Sequence, residues 1–188
     1  NMRNLVMDKL VGAQMVVFNR LEKGADTMPL HKLARAANRK IDILYDYTDG
    51  STAFDDIQDP LPFDITADVI EIKDEDYALW YRDTSEETEK YDGLTVSFKA
   101  LVAIGKEFPE DTFVGGRRLM SCCADDTVFA GFACKTDKRS MLKNGDWAKV
   151  TGKIKIRFNN LYGRKGPVIY VTDLEKTTAP EEPVASFY

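Results

Sequence analysis

One histidine, three cysteines and no long apolar run are what this 188-residue chain has least of. A single imidazole, His31, removes the base that Ser/His/Asp or Cys/His catalysis needs, unless the fold carries that one ring to the nucleophile. Three thiols, two of them adjacent (Cys122 and Cys123), make no disulfide framework, because one bridge always leaves an odd cysteine. Free or metal-bound thiols are the default expectation. The uncharged stretch near the start, Leu10 to Asn19, is about half of the ~20 residues a membrane span requires. Asp8 and Lys9 interrupt the one candidate for a signal-peptide core. Asn1 ahead of Met2 is not a natural start, so the chain is expected to be a piece from which upstream residues, including any anchor, were removed. Phosphate loops are missing too: Gly115-Gly116 and Gly163–Gly166 lack the lysine and the spacing.

What is present describes an ordinary globular protein, 44% hydrophobic and 30% charged. The net charge of −5 disfavours a general nucleic-acid coat. Charge is unevenly spread, however. Asp68 to Asp92 holds ten acidic and three basic residues, whereas Lys135 to Lys165 holds ten basic and two acidic. One face of the folded protein is expected to be cationic.

Periodicity divides the chain near residue 66. Leu5, Val6, Leu10, Ala13, Val17 and Leu21 recur at helical spacing, which predicts one amphipathic helix over residues 2–21. A second helix should start near Pro29, with Asp26 or Thr27 as its cap. Ile41–Tyr45 reads as a short strand, and Val69–Ile72 as another, followed by a short helix through Leu79, Trp80 and Tyr81 capped by Asp74 or Asp76. From Leu94 the alternation becomes period two, and five strands are expected by Glu175, two of them at Thr127–Lys135 and Trp147–Phe158. The fold class is therefore α+β and mostly antiparallel β: an OB-like β-barrel in residues 67–188, behind an N-terminal helical and short-strand layer in residues 1–66. Phe98, Ile154, Ile156 and Val168 should lie inside, and Trp147 should be mostly buried.

Two segments are candidates for chemistry. Cys122, Cys123 and Asp126 sit between two strands, and two thiols with carboxylates suit a soft metal such as zinc. Neighbouring side chains on a regular strand point to opposite faces, so both sulfurs reach one ion only across a bulge or turn. Free cysteine is also among the most buried residue types, which makes a packed pair the simpler reading. The second candidate is Lys153-Ile154-Lys155-Ile156-Arg157-Phe158. Lys153, Lys155 and Arg157 share one face, with Tyr162, Arg164 and Lys165 beyond. This is either a cationic binding face or the solvated side of a half-buried strand, with Phe158 on the core side of the alternation.

Met120-Ser121-Cys122-Cys123-Ala124-Asp125-Asp126, Gly131, Gly145-Asp146-Trp147-Ala148-Lys149-Val150-Thr151-Gly152, Pro167, and the closing Pro180-Glu181-Glu182-Pro183 with Phe187-Tyr188 occur in that order. Together with Tyr91-Asp92-Gly93, this pattern resembles the C-terminal domain of the YcgQ-like family of bacterial permease subunits, over residues 67–188. The resemblance implies a non-enzymatic β-domain outside the bilayer. It also implies N-terminal membrane helices in typical members, a multi-spanning permease as partner, and a double-cysteine motif at Cys122, Cys123 and Asp126. This chain lacks such helices, so it is expected to be either a trimmed, membrane-associated domain or a soluble relative. The alternative is an OB-type module for nucleic acid or oligosaccharide, of which nucleic acid is disfavoured by the acidic balance. Ligand, cargo and oligomeric state are not written in the sequence.

Overall fold

The computed structural model describes residues 2–57, 60–120 and 127–187, which fall into two compact units, Asn1–Pro60 and Leu61–Phe187. The first unit runs α1 (Met2–Val11), β1 (Met15–Leu21), α2 (Met28–Ala37), β2 (Asp42–Tyr47) and β3 (Thr52–Phe54). The sheet order is β1-β2-β3, with β1 and β2 parallel and α2 as their crossover. The single helix expected over residues 2–21 is therefore two elements. Val16, Val17 and Phe18 are β-branched or aromatic and favour a pleated neighbour. They find one, since Val16 pairs with Ile43 and Phe18 with Tyr45. Val6 and Val17, which a continuous helix would bury on one stripe, are exposed. Thr27 stands at the N-cap position of α2, while Asp26 Oδ1 accepts the Met28 N–H at 3.0 Å. Leu10, Ala34, Ile41, Ile43 and Tyr45 form this unit's own core.

The second unit contains β4 (Ile70–Glu71), α3 (Tyr77–Glu86), a single 3₁₀ turn (Thr88–Tyr91), β5 (Thr95–Ala103), β6 (Thr112–Met120), β7 (Thr127–Lys135), β8 (Trp147–Asn159), β9 (Arg164–Thr177) and β10 (Val184–Ser186). Its pairing is cyclic. β5 pairs with β6, β6 with β7, β7 with β9, β9 with β8, and β8 with β5 again. Numbered from β5, that is the order 1-2-3-5-4-1, the five-stranded Greek-key arrangement of OB-like barrels. Four of these pairings are antiparallel; β7–β9 is parallel, as are β4 and β10 where they extend the sheet at β5 and β6. Close approach fixes two glycines opposite one another in the β6–β7 ladder. A Cβ on Gly116 would come within 2.3 Å of the Ala130 carbonyl oxygen, and one on Gly131 within 2.7 Å of the Gly115 carbonyl oxygen.

Inward residues fill the ring by period-two alternation. Phe98, Ile154 and Ile156 lie in the core as their spacing requires. Val168 is buried but belongs to the opposite face, because it pairs with outward Lys155. Trp147 is half-buried, a departure from expectation with a simple cause: paired with Leu101 of β5 and Thr177 of β9, it has the outward parity of Lys149 and Lys153, while Ala148 and Val150 turn inward. The large buried indole is Trp80, delivered from α3 and wholly buried. Its ring lies 4.8 Å from Phe98, 5.3 Å from Phe132 and 5.5 Å from Tyr77, measured between centroids. Asp76 occupies the N-cap position of α3 without a capping hydrogen bond from its side chain. No described helix is long and apolar enough to cross a membrane.

Denaturant unfolding should rank the two tryptophans. Trp80→Ala should cost about 3–5 kcal/mol, the range for a wholly buried large side chain, and Trp147→Ala only ~1–2 kcal/mol. Equal losses would mean that the indole of Trp147, not that of Trp80, anchors the core.

Candidate ligand-binding surface

Cys122, Cys123 and Asp126 lie outside the described residues. The strands on either side of them are paired as far as Met120 and Thr127, and Val128 and Phe129, which follow, are both exposed. Among the described residues no group of three or more His, Cys, Asp or Glu side chains is placed to hold a metal. Arg117, on β6 ahead of those thiols in sequence, faces inward and is buried. Its Nη1 donates to the Asp74 carbonyl at 2.7 Å and to Asp74 Oδ1 at 3.3 Å, and Nη2 donates to the Glu182 carbonyl. Burial lowers its pKa, and the Asp74 carboxylate opposes that shift. It ties the segment before α3 and the segment before β10 to the barrel wall.

The third cysteine, Cys134, is enclosed in the core, where loss of solvent pushes its thiol up to about 12. It stays protonated and inert at neutral pH. His31 is equally enclosed. Its Nδ1 lies 2.8 Å from Asp55 Oδ2, Tyr45 donates to Asp55 Oδ1 at 2.8 Å, and Arg35 Nη2 approaches Oδ2 at 3.6 Å. Burial first, then the hydrogen bond to Asp55, raises the Tyr45 phenol to about 12. With His31 and Asp55 side chains 2% and 1% exposed, this network is shut away from any substrate and works as a polar rivet for the first unit.

β8 and β9 are the longest strands and carry the cationic candidate. Asn159 pairs with Arg164, and the register then sets Arg157 beside Gly166, Lys155 beside Val168 and Lys153 beside Tyr170. Lys153, Lys155, Arg157 and Arg164 thus share the outer face, where Lys155 Nζ sits 5.0 Å from the Tyr170 ring centroid. Tyr170 was not foreseen, although counting back from the turn at Asn160–Gly163 would have found it. Five lysines elsewhere in this unit have carboxylate partners, Lys90 with Asp83 at 2.6 Å, Lys99 with Asp74 at 3.1 Å, Lys135 with Asp111 at 3.3 Å, Lys149 with Glu71 at 3.7 Å and Lys176 with Asp146 at 2.7 Å, while Lys73, Lys106, Lys138 and Lys143 are scattered over loops and make no ion pair among the described residues. Among the described residues, none of Lys153, Lys155, Arg157, Arg164 and Lys165 makes such an ion pair.

Phe158 corrects a second expectation. It has the inward parity of Ile154 and Ile156, yet it is 63% exposed. β8 leaves β5 after Lys153, and β9 meets β7 only at Val168–Tyr170, so Phe158 extends past the strands that would cover it. Beside this ribbon lies a cleft of about 110 Å³ lined by Tyr81, Ser85, Phe132, Tyr162, Arg164 and Lys165, among others. Ser85 and Tyr162 have their hydroxyls engaged: Ser85 donates to the Tyr81 carbonyl, and Tyr162 donates to the Pro167 carbonyl at 2.8 Å while accepting the Ala133 N–H at 2.6 Å. Burial raises the pKa of Tyr162. Arg164 and Lys165 are the cleft's two cations.

Residues 48–185 match the family model described as the DUF1980 C-terminal domain. No curated protein matches the chain. Among solved structures, the chain is similar to the OBody AM3L15 bound to hen egg-white lysozyme, at 12% identity over 55% of this chain and 90% of that one, with a TM-score of 0.34. It is also similar to a small single-stranded DNA-binding protein from Streptomyces coelicolor, at 14% identity over 45% of this chain and 93% of that one, with a TM-score of 0.29.

Two measurements check the buried groups. In the native protein at pH 8, thiol reagents should leave Cys134 unmodified, and it should react only on unfolding; mass spectrometry of the labelled peptides reads this directly. Asp55→Ala should destabilise the first unit by about 3 kcal/mol, because it removes the acceptor shared by His31 and Tyr45. Hydrogen exchange in residues 15–54 unchanged from wild type would show that the rivet carries no load.

Proposed function

The chain belongs to the DUF1980 C-terminal domain family, and from that premise we propose that it is a non-catalytic binding domain, working beside a membrane permease, which engages an anionic ligand along the β8–β9 ribbon. One observation carries the binding part of this reading. Lys153, Lys155, Arg157, Arg164 and Lys165 have no carboxylate partner among the described residues, while Lys149, on the same strand, has Glu71. Cations arranged merely to stabilise the sheet would be expected to pair with acids across it. Lys153, Lys155 and Arg157 instead form a line at every second residue of β8, about 6–7 Å apart, open to an extended polyanion, and Arg164 joins the same face across the turn. Lys155 is held against Tyr170, which pre-orients its ammonium group. The permease part rests on the likeness of the Met120–Asp126, Gly145–Gly152 and Pro180–Pro183 motifs to YcgQ-like subunits.

The binding reading is tested with a fluorescent oligothymidylate used as a flexible polyanion. Affinity should fall with salt, and the triple variant Lys153→Gln, Lys155→Gln, Arg157→Gln should flatten the log–log salt slope by about 0.7 per cation removed. All three side chains are outward, so the melting temperature should scarcely move. Wild-type binding that is absent at low salt would overturn the proposal.

A further inference from the structure

We infer that the anion met by the tip of the β8–β9 ribbon is the headgroup layer of an acidic lipid bilayer, with Phe158 entering the interface. The inference rests on the anion-binding reading above and narrows it to one partner.

The ribbon's shape comes first. β8 is 13 residues long and β9 is 14, but β5 pairs with β8 only as far as Lys153, and β7 pairs with β9 only at Val168–Tyr170. Ile156–Asn159 and Arg164–Pro167 therefore pair only with each other. Ile156, Gly166 and Pro167 are still buried, and Tyr162 is tied back to β7 through the Ala133 N–H, so what stands clear is the tip, Arg157–Asn159 with Arg164 and Lys165. At about 3.3 Å per residue, the three β8 residues of that tip span roughly 10 Å, comparable to the depth at which interfacial elements seat themselves, about 5–10 Å.

Composition comes second. From Lys153 to Pro167 the chain carries five cations and no carboxylate. The acidic group that meets this stretch from a packed element is Asp92, whose Oδ1 accepts the Ile156 N–H at 2.8 Å, just before the tip. Toward the tip the cations lie on both faces: Arg157 and Arg164 on one, Lys165, across from Phe158, on the other. An oligomeric ligand lying on the strip would need cations on only one face. A tip pushed into a plane of headgroups meets anions on every side.

Phe158 comes third. An exposed phenylalanine inside a cationic ring gains nothing from water or from a hydrophilic polyanion running along the opposite face. In a bilayer interface its ring is buried, while the surrounding guanidinium and ammonium groups remain with phosphates. The partly buried Leu161 continues the apolar surface at the turn.

The experiment is co-sedimentation of the whole chain with vesicles of phosphatidylcholine alone and of phosphatidylcholine with phosphatidylglycerol, run beside oligothymidylate binding. Wild type should partition onto the acidic vesicles only. Arg157→Gln, Arg164→Gln, Lys165→Gln should weaken partitioning by about a hundredfold, since each cation near an anionic surface is worth about a fivefold factor. Phe158→Ser should weaken vesicle partitioning about tenfold and leave oligothymidylate affinity intact. Lys149→Gln, at the far end of β8, should change neither. Oligothymidylate binding without vesicle partitioning would overturn this inference and spare the broader reading. Vesicle partitioning indifferent to Phe158→Ser would reduce it to surface adsorption and overturn the inserted tip. Binding to neither would remove both.

Discussion

A ring of five strands has two open ends, and the second unit depends on one of them being stoppered by Trp80. The indole reaches Phe98 on β5 and Phe132 on β7, strands that do not pair with each other. One side chain from a helix outside the ring therefore couples separate staves of the barrel. Tyr77 adds a hydrogen bond, donating to the Ala130 carbonyl at 3.0 Å, and so also holds α3 to β7. Arg117 acts at the same end, linking the loop before α3 and the chain before β10 through backbone carbonyls. A buried guanidinium is tolerated because it is hydrogen-bonded and faces the aromatic ring of Tyr77.

With that end closed from within the chain, the β8–β9 ribbon is relieved of covering it and can extend. The uneven charge of the sequence then acquires a spatial meaning. The acidic segment 68–92 supplies partners for lysines near the plugged end, Glu71 for Lys149 and Asp74 for Lys99. The basic segment 135–165 spends Lys135 on Asp111 but leaves the ribbon cations without acids. A net charge of −5 therefore conceals a local surface of the opposite sign. That is the electrostatic condition for attracting an anion to one place rather than everywhere.

Much of the second unit was legible. Thr127–Lys135 has the bounds its alternation gave, and the Asn144-Gly145 turn separates β7 from β8 as read. Alternation also placed Lys153, Lys155 and Arg157 outward, because period two is a property of the backbone. It failed at Phe158, since parity says which way a side chain points but not whether another strand stands there to receive it. At Trp147 it was size, not alternation, that misled, because the residue shares the outward parity of Lys149 and Lys153. The helix expected through residue 21 shows a different limit: apolar residues spaced for a helix also alternate over Met15–Leu21, and only the parallel partner Asp42–Tyr47 decides between them. The Tyr45–Asp55–His31 contacts join three elements and leave no local trace in the sequence. Position alone could not have shown that Cys134 is inert; its enclosure in the core does.

Both tryptophans belong to the second unit, and one of them is wholly enclosed. Residues 1–60 have none, and hold Tyr45 and Tyr47, with the still weaker Phe18 and Phe54, as near-ultraviolet chromophores. Intrinsic indole emission is thus a reporter confined to residues 61–187. A single clean fluorescence transition would certify cooperativity of the barrel and remain blind to whether residues 1–60 had already melted. Only probes of backbone order, such as far-ultraviolet dichroism or amide exchange resolved by peptide, see both units at once.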